Sequence, residues 1–583
     1  MIHKKRKHEK RAKNNISQSF NLASKTEPKL LNFMQALLIA FFGTTFFAVQ
    51  MAKTSFVLTS PSDPLQYVQP ALDPSHGFDF LDRIFLWLYL RTFAAIPIAR
   101  EFIGPTATLV ITSLIALIIG LWIAFRFSLT ASGIFLGLCL LNPFLISIST
   151  YTYPMQLMTL VLISSLIMTS ELQNPIMRNV MGGIGIALAI LSKVQGAGLA
   201  ITLVGKEMFG IKSKRVFFNI LLIIFGFVIT VQALLILLII VDGKEATFKL
   251  FAGYFSNGTA TTQFDGRNGA GGFPPFYQLF FEPIFLFSIL GVLGCIFLFG
   301  NVERFLAIAA TVQILLLIFI YVVSQRGGPL IHNYLFDFLV LGSACFAIAI
   351  GRFLNFKGTQ LDFIFGLLVV FVSGILTVAK SGISSTPSQL GIGFGYSRSL
   401  DLAIFGAITF LVVGFSHLLD SVLPMKSNGR DNAKRFWDKK NVLSMFCTVL
   451  VLITLSNNVS RGYSDSRFKI LESSQYHKLA GALSKLEGDV CVEVSMGRPN
   501  SDDAGPRLRG IFETFYSLDS KAELWINGLN DKGIGFRGSC NFFVTDIDSS
   551  IFASRIKASL DRRSVLIADR DGKVIDAIKL PNL

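Results

Sequence analysis

The stretch Ser60-Pro-Ser-Asp-Pro-Leu-Gln-Tyr67 comes after the first long apolar segment of the chain, residues 33–51. It is acidic, and the acidic character continues through Asp73, Asp79 and Asp82. Apolar runs of roughly 20 residues, the length of a membrane-spanning helix, recur along most of the chain that follows. Ionisable side chains held at a membrane mark functional sites. The stretch therefore predicts a polar site at the surface of a helical membrane protein.

The composition also predicts an integral membrane protein. Of the 583 residues, 52% are hydrophobic and 15% are charged, and the mean hydropathy is +0.58. A soluble globular domain carries about 25% charged residues. The net charge of +16 comes from basic residues in short hydrophilic pieces between the apolar runs, a distribution that the positive-inside rule explains. We therefore expect no nucleic-acid partner.

The predicted fold class is an α-helical polytopic membrane protein with about 13 transmembrane helices. Residues 1–30 are strongly basic and predict a disordered cytoplasmic tail. Residues 31–456 form the predicted transmembrane domain, in a cell inner or plasma membrane. The predicted spans are about 33–51, 105–125, 133–149, 154–170, 180–192, 195–208, 216–241, 277–300, 304–323, 330–350, 361–379, 401–423 and 441–456.

One apolar stretch, residues 180–208, contains Lys193. A single helix would bury this lysine near the bilayer centre, at a cost of roughly 3 kcal/mol or more. It would also place the basic residues of the segment 206–215 outside, against the positive-inside rule. Two short helices that turn at Ser192–Gly198 avoid both problems. We therefore predict a turn that holds Lys193 on the outer side of the membrane.

Two long segments are predicted on the outer face. The first outer loop, residues 52–104, contains the short apolar piece 84–98, whose Trp87 and Tyr89 predict a helix lying along the membrane surface. The loop 242–276 is rich in glycine, which permits hinging, so this loop could act as a lid.

Residues 457–583 predict a small extracytoplasmic mixed α/β domain. Apolar spacing over 473–487 predicts an amphipathic helix, and Asp569-Arg-Asp-Gly572 predicts a hairpin turn. In an oxidising compartment Cys491 and Cys540 could pair as a disulfide. The predicted strands are 489–496, 540–547, 564–568 and 573–580.

The same region contains two Asp-x-Asp tripeptides, Asp546-Ile-Asp548 and Asp569-Arg-Asp571. Soluble enzymes that use nucleotide sugars carry this pattern. A domain outside the cytoplasm does not meet cytosolic nucleotide sugars, and the second tripeptide falls in the predicted turn. We therefore interpret both as structural.

The predicted topology gathers polar side chains on the outer face, which indicates a reaction site. A carboxylate there can act as a general base, and lysine and arginine suit a phosphate or diphosphate. Together they are typical of a site that joins an anionic lipid head group to a hydroxyl-bearing acceptor. No cysteine–histidine cluster has the spacing of a metal site. The gathered residues are Asp63, Tyr67, Asp73, Asp79, Asp82, Lys193, Arg267, Arg326, His332 and Tyr334.

With these residues the chain resembles the GT-C superfamily of polytopic glycosyltransferases, which includes the glycosyltransferase family 39-like protein O-mannosyltransferases and aminoarabinose transferases. The resemblance covers roughly residues 30–350. It starts with a basic N-terminus, one span and an acidic first outer loop with an Asp-x-x-x-Tyr pattern, Asp63 to Tyr67. It continues in the short helix pair around Leu191-Ser-Lys193 and resumes at Arg326 to Tyr334.

The resemblance implies an inverting transfer of a sugar from a polyprenyl-phosphate-linked donor to an acceptor hydroxyl. Asp63 matches the position of the general base, and Lys193, helped by Arg326, matches the contact to the donor phosphate. The implied partners are the lipid-linked donor, a glycan, lipid or protein acceptor, and membrane lipid. The remaining candidates for substrate binding are Tyr67, Asp82, Arg267, His332 and Tyr334.

The sequence departs from the family at Pro64, where some members carry a second acidic residue. The departure leaves a divalent metal possible but unassigned, since Asp73, Asp79 or Asp82 could replace the missing acid. No other cofactor is expected.

Two other functions stay open from sequence alone. A transporter or flippase of lipid-linked glycans would usually show internal repeats and polar residues at the membrane midplane, and neither pattern is found here. A non-catalytic envelope assembly protein would use the C-terminal domain as its working part.

Overall fold

The computed structural model describes the following residues: 30–55, 84–96, 103–140, 145, 154–210, 213–245, 247, 283–298, 301–323, 335–354, 363–364, 366–371, 478–479, 481–493, 522–526, 541–545 and 564–579. These residues form a bundle of helices and a separate five-stranded sheet. The bundle is followed along the chain by the sheet, as the sequence predicts.

The described helices lie between residues 30 and 354. They are α1 Leu30–Ser55, α2 Ile84–Ala94, α3 Ile103–Arg126, α4 Leu129–Ile134, α5 Pro154–Glu171, α6 Pro175–Ile190, α7 Ala197–Gly210, α8 Ser213–Asp242, α9 Pro283–Leu298, α10 Asn301–Val323 and α11 Phe336–Leu354.

Among the described residues, four helices are long and apolar enough to cross a membrane, which supports a multi-pass protein. Their crossing segments are Thr106–Arg126, Pro154–Glu171, Arg215–Val241 and Val302–Phe319. Helix α8 also exposes large apolar side chains along its length, including Phe217, Phe225 and Ile240. Such a surface is stable in contact with lipid but not with water.

The predicted break in the stretch 180–208 is confirmed. Helix α6 ends at Ile190, a short 3-10 turn follows at Val194–Gly196, and α7 begins at Ala197. The predicted span 133–149 starts earlier than expected, with α4, and turns into a π-helix at Phe135–Leu140. The predicted spans 401–423 and 441–456 lie outside the described residues.

Helix α2 is the short helix predicted to lie along the membrane surface. It forms, but one face is buried in the protein core, including Leu86, Trp87 and Leu90. The Tyr89 hydroxyl donates a hydrogen bond of 2.9 Å to the carbonyl oxygen of Ala107 in α3. The helix is therefore held by the bundle itself, while its depth in the membrane stays a prediction.

Two glycines let α6 and α8 cross in close contact. A Cβ atom on Gly226 would lie 2.3 Å from the Val180 carbonyl oxygen, and one on Gly183 would lie 2.0 Å from the Ile223 carbonyl oxygen. Small residues at helix crossings let backbones approach in this way and stabilise membrane bundles through packing. This crossing fixes the position of α6, whose C-terminal end carries Lys193.

We expect Gly226→Ala to lower the stability of the purified protein. The added methyl group would overlap a backbone atom of α6, and overpacking of this kind costs about 1–3 kcal/mol. Gly205→Ala in α7 is the matched control, because its Cβ would meet no atom within 4 Å and alanine favours the helix by about 1 kcal/mol. The measurement is the apparent unfolding temperature of both variants in one detergent. Equal unfolding temperatures for Gly226→Ala and the wild type would contradict the tight crossing.

The C-terminal sheet has the strand order β2-β1-β3-β4-β5. Strand β1 pairs in parallel with β2 and β3, whereas the pairs β3–β4 and β4–β5 are antiparallel. The four predicted strands are confirmed, and the sequence analysis missed the edge strand β2. The strands are β1 Gly488–Glu493, β2 Ala522–Ile526, β3 Phe542–Thr545, β4 Ser564–Asp569 and β5 Val574–Lys579.

The predicted hairpin turn joins β4 to β5. Asp569 Oδ1 accepts hydrogen bonds from the backbone N–H groups of Asp571 (3.0 Å) and Lys573 (2.8 Å), and Gly572 has a positive φ of 80°. The carboxylate is thus occupied in closing its own turn, an Asx-type arrangement. This Asp-x-Asp tripeptide is structural, as interpreted from the sequence. Asp546-Ile-Asp548 lies outside the described residues.

Cys491 lies on β1 and is disulfide-bonded. The predicted partner, Cys540, lies outside the described residues, so the pairing itself stays a prediction. Asn541, the residue after Cys540, donates a backbone hydrogen bond of 2.8 Å to the carbonyl of Asp489. Asp489 lies on β1, two residues before Cys491. The amphipathic helix predicted over 473–487 is described only in part, and there Leu479 and Leu483 are buried as expected.

Candidate functional site

The turn between α6 and α7 presents Lys193 inside the protein. The backbone of Lys193 is extended, with φ −164° and ψ 140°, so the helix cannot continue through it. The Lys193 N–H still donates to the Ala189 carbonyl at 3.0 Å, and its carbonyl accepts from the Gly196 N–H at 2.8 Å. The lysine is therefore fixed by backbone hydrogen bonds on both sides.

Glycine at two positions lets this turn pack against its neighbours. A Cβ on Gly196 would lie 2.3 Å from the Ala189 carbonyl carbon, and one on Gly198 would lie 2.7 Å from Gln313 Nε2. Gly196 thus allows the 3-10 turn to fold back onto α6. Gly198 allows the Gln313 side chain of α10 to approach the turn.

A polar cluster surrounds the turn in an otherwise apolar core. The Gln313 amide N–H group, oriented by its partners, donates to the Gln195 backbone carbonyl (3.3 Å) and to Asp337 Oδ2 (3.1 Å). Asp337 Oδ1 accepts from the Phe338 N–H at 2.8 Å. Gln313 therefore links the turn to the first residues of α11.

Lys193 and Asp337 are the charged members of this cluster, and both are removed from water. Lys193 is 6% exposed and Asp337 is 3% exposed. The Lys193 ammonium interacts electrostatically with the Asp337 carboxylate. Burial of a charge is costly unless an opposite charge and hydrogen bonds accompany it. The opposite charges, with the Gln313 amide as a further donor, make this pair tolerable inside the protein.

Two predicted site segments adjoin this cluster in sequence. The Phe85 N–H at the start of α2, directly after the acidic part of the first outer loop, donates to the Leu191 carbonyl at 3.1 Å. The segment that contains Arg326, His332 and Tyr334 leads along the chain into Leu335 and then Asp337. The described residues that follow both segments therefore belong to the surroundings of the lysine turn.

Lys193 is the one predicted reaction-site residue that the structure describes, and it lies at the predicted turn. Lys193 is buried, whereas a lysine in a solvated loop would be exposed. The side chain is buried because α10 and α11 pack near the turn. The other predicted residues lie outside the described residues, so their roles stay predictions: Asp63, Tyr67, Asp73, Asp79, Asp82, Arg267, Arg326, His332 and Tyr334.

Sequence reasoning missed Gln195, Gln313 and Asp337. A signal for Asp337 existed, because it is a lone acidic residue at the start of the apolar run 335–351, and ionisable residues in such runs mark functional sites. Gln195 and Gln313 are uncharged and gave no comparable signal.

No group of three or more metal-ligating side chains occurs within the part of the chain that the structure describes. The acidic first loop, where a divalent metal was considered, is not in that part. A metal therefore stays possible but unassigned.

Comparisons with known proteins found similar solved structures but no matching sequence family. No protein-family model and no curated protein matches the chain. The structure aligns with crystal structures of ArnT from Cupriavidus metallidurans. With undecaprenyl phosphate bound, that structure has 11% identity over 95% of this chain and 98% of the other, and a TM-score of 0.47. The apo structure has 12% identity over 94% of this chain and 98% of the other, and a TM-score of 0.49.

Proposed function

We propose that the chain is an integral membrane glycosyltransferase. It transfers a sugar from a polyprenyl-phosphate-linked donor to an acceptor hydroxyl at the Lys193 end of the helix bundle. The observation that supports this proposal most is the buried lysine at the α6–α7 turn, which is hydrogen-bonded at Leu191 to the start of α2, the helix that follows the acidic segment in sequence. An ammonium group in that position suits a lipid-linked phosphate beside a carboxylate base.

The proposed roles follow from the chemistry of an inverting transfer. Asp63 removes the proton from the acceptor hydroxyl, which then attacks the sugar carbon. The bond from that carbon to the phosphate oxygen breaks, and Lys193 stabilises the negative charge that forms on the leaving phosphate. Arg326 assists Lys193, while Tyr67, Asp82, Arg267, His332 and Tyr334 are the candidates that orient the two substrates.

Burial of Lys193 supports a phosphate role in a second way. In a site that excludes water, a positive charge stabilises a developing anion far more than it does in water. Asp337 and the Gln313 amide hold the surrounding cluster in place, so little reorganisation is needed during the reaction. A lysine that only reached towards the membrane surface would instead be exposed at its tip.

The test begins with mass spectrometry of envelope lipids and glycans from cells with and without the chain. Loss of a transferase removes one sugar mass from an acceptor and leaves the lipid-linked donor to accumulate. Donor and acceptor extracted from the deficient cells are then mixed with purified protein in detergent.

We expect the missing sugar mass to return in the detergent mixture. A flippase cannot restore it, because no membrane separates donor from acceptor there, and an assembly protein would leave both substrates unchanged. No gain of mass in detergent would overturn the proposal and favour one of those two functions.

A further inference from the structure

A second polar cluster lies at the other end of α6 from Lys193 and takes no part in the proposed reaction. Arg178 Nη2 bonds Glu207 Oε1 at 3.3 Å, and the Asn219 amide of α8 donates to Glu207 Oε2. About 13 residues of helix separate Arg178 from the lysine turn, a distance of roughly 20 Å. This cluster is therefore a separate site.

The cluster contains donors that its own residues do not satisfy. Arg178 Nε and the Asn179 amide nitrogen are buried and have no hydrogen-bond partner in the described part of the chain. Asn179 is only 3% exposed. Buried donors without an acceptor cost about 1–3 kcal/mol each, so such groups call for an explanation.

Arg178 and Asn179, the residues that carry these donors, line one small cavity together with Lys206. The cavity has a volume of about 10 Å³ and is lined by residues of α5, α6, α7 and α8. This volume admits one water-sized group, such as a single phosphate oxygen. Lys206 is exposed, and its Nζ lies 4.1 Å from the centre of the Phe305 ring.

The charges around the cavity favour an anion. Arg178 and Lys206 are cationic, whereas Glu207 is the one acid among the residues that line it. Both oxygens of Glu207 are already bound, by Arg178 and by Asn219. The residues that line the cavity therefore carry one net positive charge, beside two donors that have no acceptor among the described residues. Lys212, in the link from α7 to α8, and Lys214, in the first turn of α8, add to the positive charge of this part of the sequence.

We propose that this cavity binds the phosphate group of an anionic phospholipid. One phosphate oxygen enters the cavity and accepts hydrogen bonds from Arg178 Nε and the Asn179 amide, while Lys206 contacts a second oxygen from the rim. The apolar, exposed surface of α8 beside the cavity suits the acyl chains of the same lipid. The proposal is independent of the glycosyltransferase function.

The test uses the full-length protein, purified in detergent and stripped of lipid. Its unfolding temperature is measured with added phosphatidylglycerol, with added phosphatidylcholine and with inorganic phosphate. The variants are Lys206→Gln, which removes the exposed cation, and Asn179→Leu, which fills the cavity. Arg304→Gln is the matched control, because Arg304 is an exposed cation near Phe305 that does not line the cavity.

We expect phosphatidylglycerol to raise the unfolding temperature of the wild type and the control, and phosphatidylcholine to do so less. Loss of a charge-assisted contact should weaken the apparent affinity of Lys206→Gln for phosphatidylglycerol at least about tenfold. Native mass spectrometry after addition of phosphatidylglycerol should show one fewer bound lipid in each of the two cavity variants than in the wild type. These readouts also separate a binding defect from misfolding of Asn179→Leu, since Lys206→Gln alters an exposed side chain.

The outcomes separate the two sources of phosphate. The same shift with inorganic phosphate alone, lost in both cavity variants, would support the phosphate site but assign it to a free ion. Equal shifts and equal lipid retention in wild type and variants would overturn the proposal, because the cavity would then hold only a water molecule.

Discussion

Asp63→Asn is expected to lower the rate of sugar transfer by about 10²- to 10⁴-fold, the contribution of a general base. Asparagine keeps the size of the side chain but cannot accept the proton from the acceptor hydroxyl. Because the change lies in a segment predicted to be an outer loop, we expect the protein to be expressed and folded as the wild type is. The measurement is the return of the sugar mass in the detergent mixture of donor, acceptor and purified enzyme.

Glu245→Gln is the matched control for this variant. Glu245 is an exposed acid that follows α8 at the Lys193 end of the bundle, so its loss changes the local charge equally without removing the proposed base. The control should transfer sugar at the wild-type rate. An Asp63→Asn enzyme that keeps the wild-type rate would show that Asp63 is not the base.

Lys193→Met should cause two separable losses. Methionine fills similar space without a charge and leaves Asp337 as a buried carboxylate without its cation, which costs up to about 3–5 kcal/mol. It also removes the proposed contact to the donor phosphate, so binding of a polyprenyl phosphate should weaken about 10- to 100-fold. The two readouts are the unfolding temperature and the dissociation constant for polyprenyl phosphate.

The double variant Lys193→Met, Asp337→Asn distinguishes the two losses. Asparagine removes the unpaired charge yet still offers an oxygen to the Phe338 N–H, so most of the stability should return. Binding of polyprenyl phosphate should stay weak, because the cation is still missing. If binding returned with stability, Lys193 would serve only to balance Asp337, and its role towards the donor would be wrong. Lys244→Met, at an exposed lysine near the same end, is the charge control.

The turn at Lys193 could be predicted because it depends on local sequence. A lysine in an apolar stretch is costly in a continuous helix, and Gly196 and Gly198 mark a place where the chain can bend. The same reasoning could not find Gln313 or Asp337. They meet the turn only after two later helices have packed against it, and no local periodicity encodes such a contact.

The same limit explains the other differences from the sequence analysis. Strand β2 pairs in parallel with β1, and parallel partners lie far apart along the chain. Its segment Ala522–Ile526 is short and includes Glu523, so its alternation is weak. The π-helix at Phe135–Leu140 has no distinct residue pattern and is indistinguishable from the α-helix around it in sequence.

The wide separation of Lys193 and Asp337 along the chain affects how the protein is made. About 140 residues separate them, and a ribosome moving at 5–20 residues per second needs about 7–30 s to cover that length. During this interval α6 and α7 enter the membrane as a hairpin whose lysine tip has neither Asp337 nor Gln313 to receive it. The hairpin is thus held at first by its glycine crossing with α8, which is translated immediately after it. The cluster of Lys193, Gln313 and Asp337 forms only after α10 and α11 have been translated. We therefore expect this cluster to be among the later parts of the described bundle to be completed during biosynthesis.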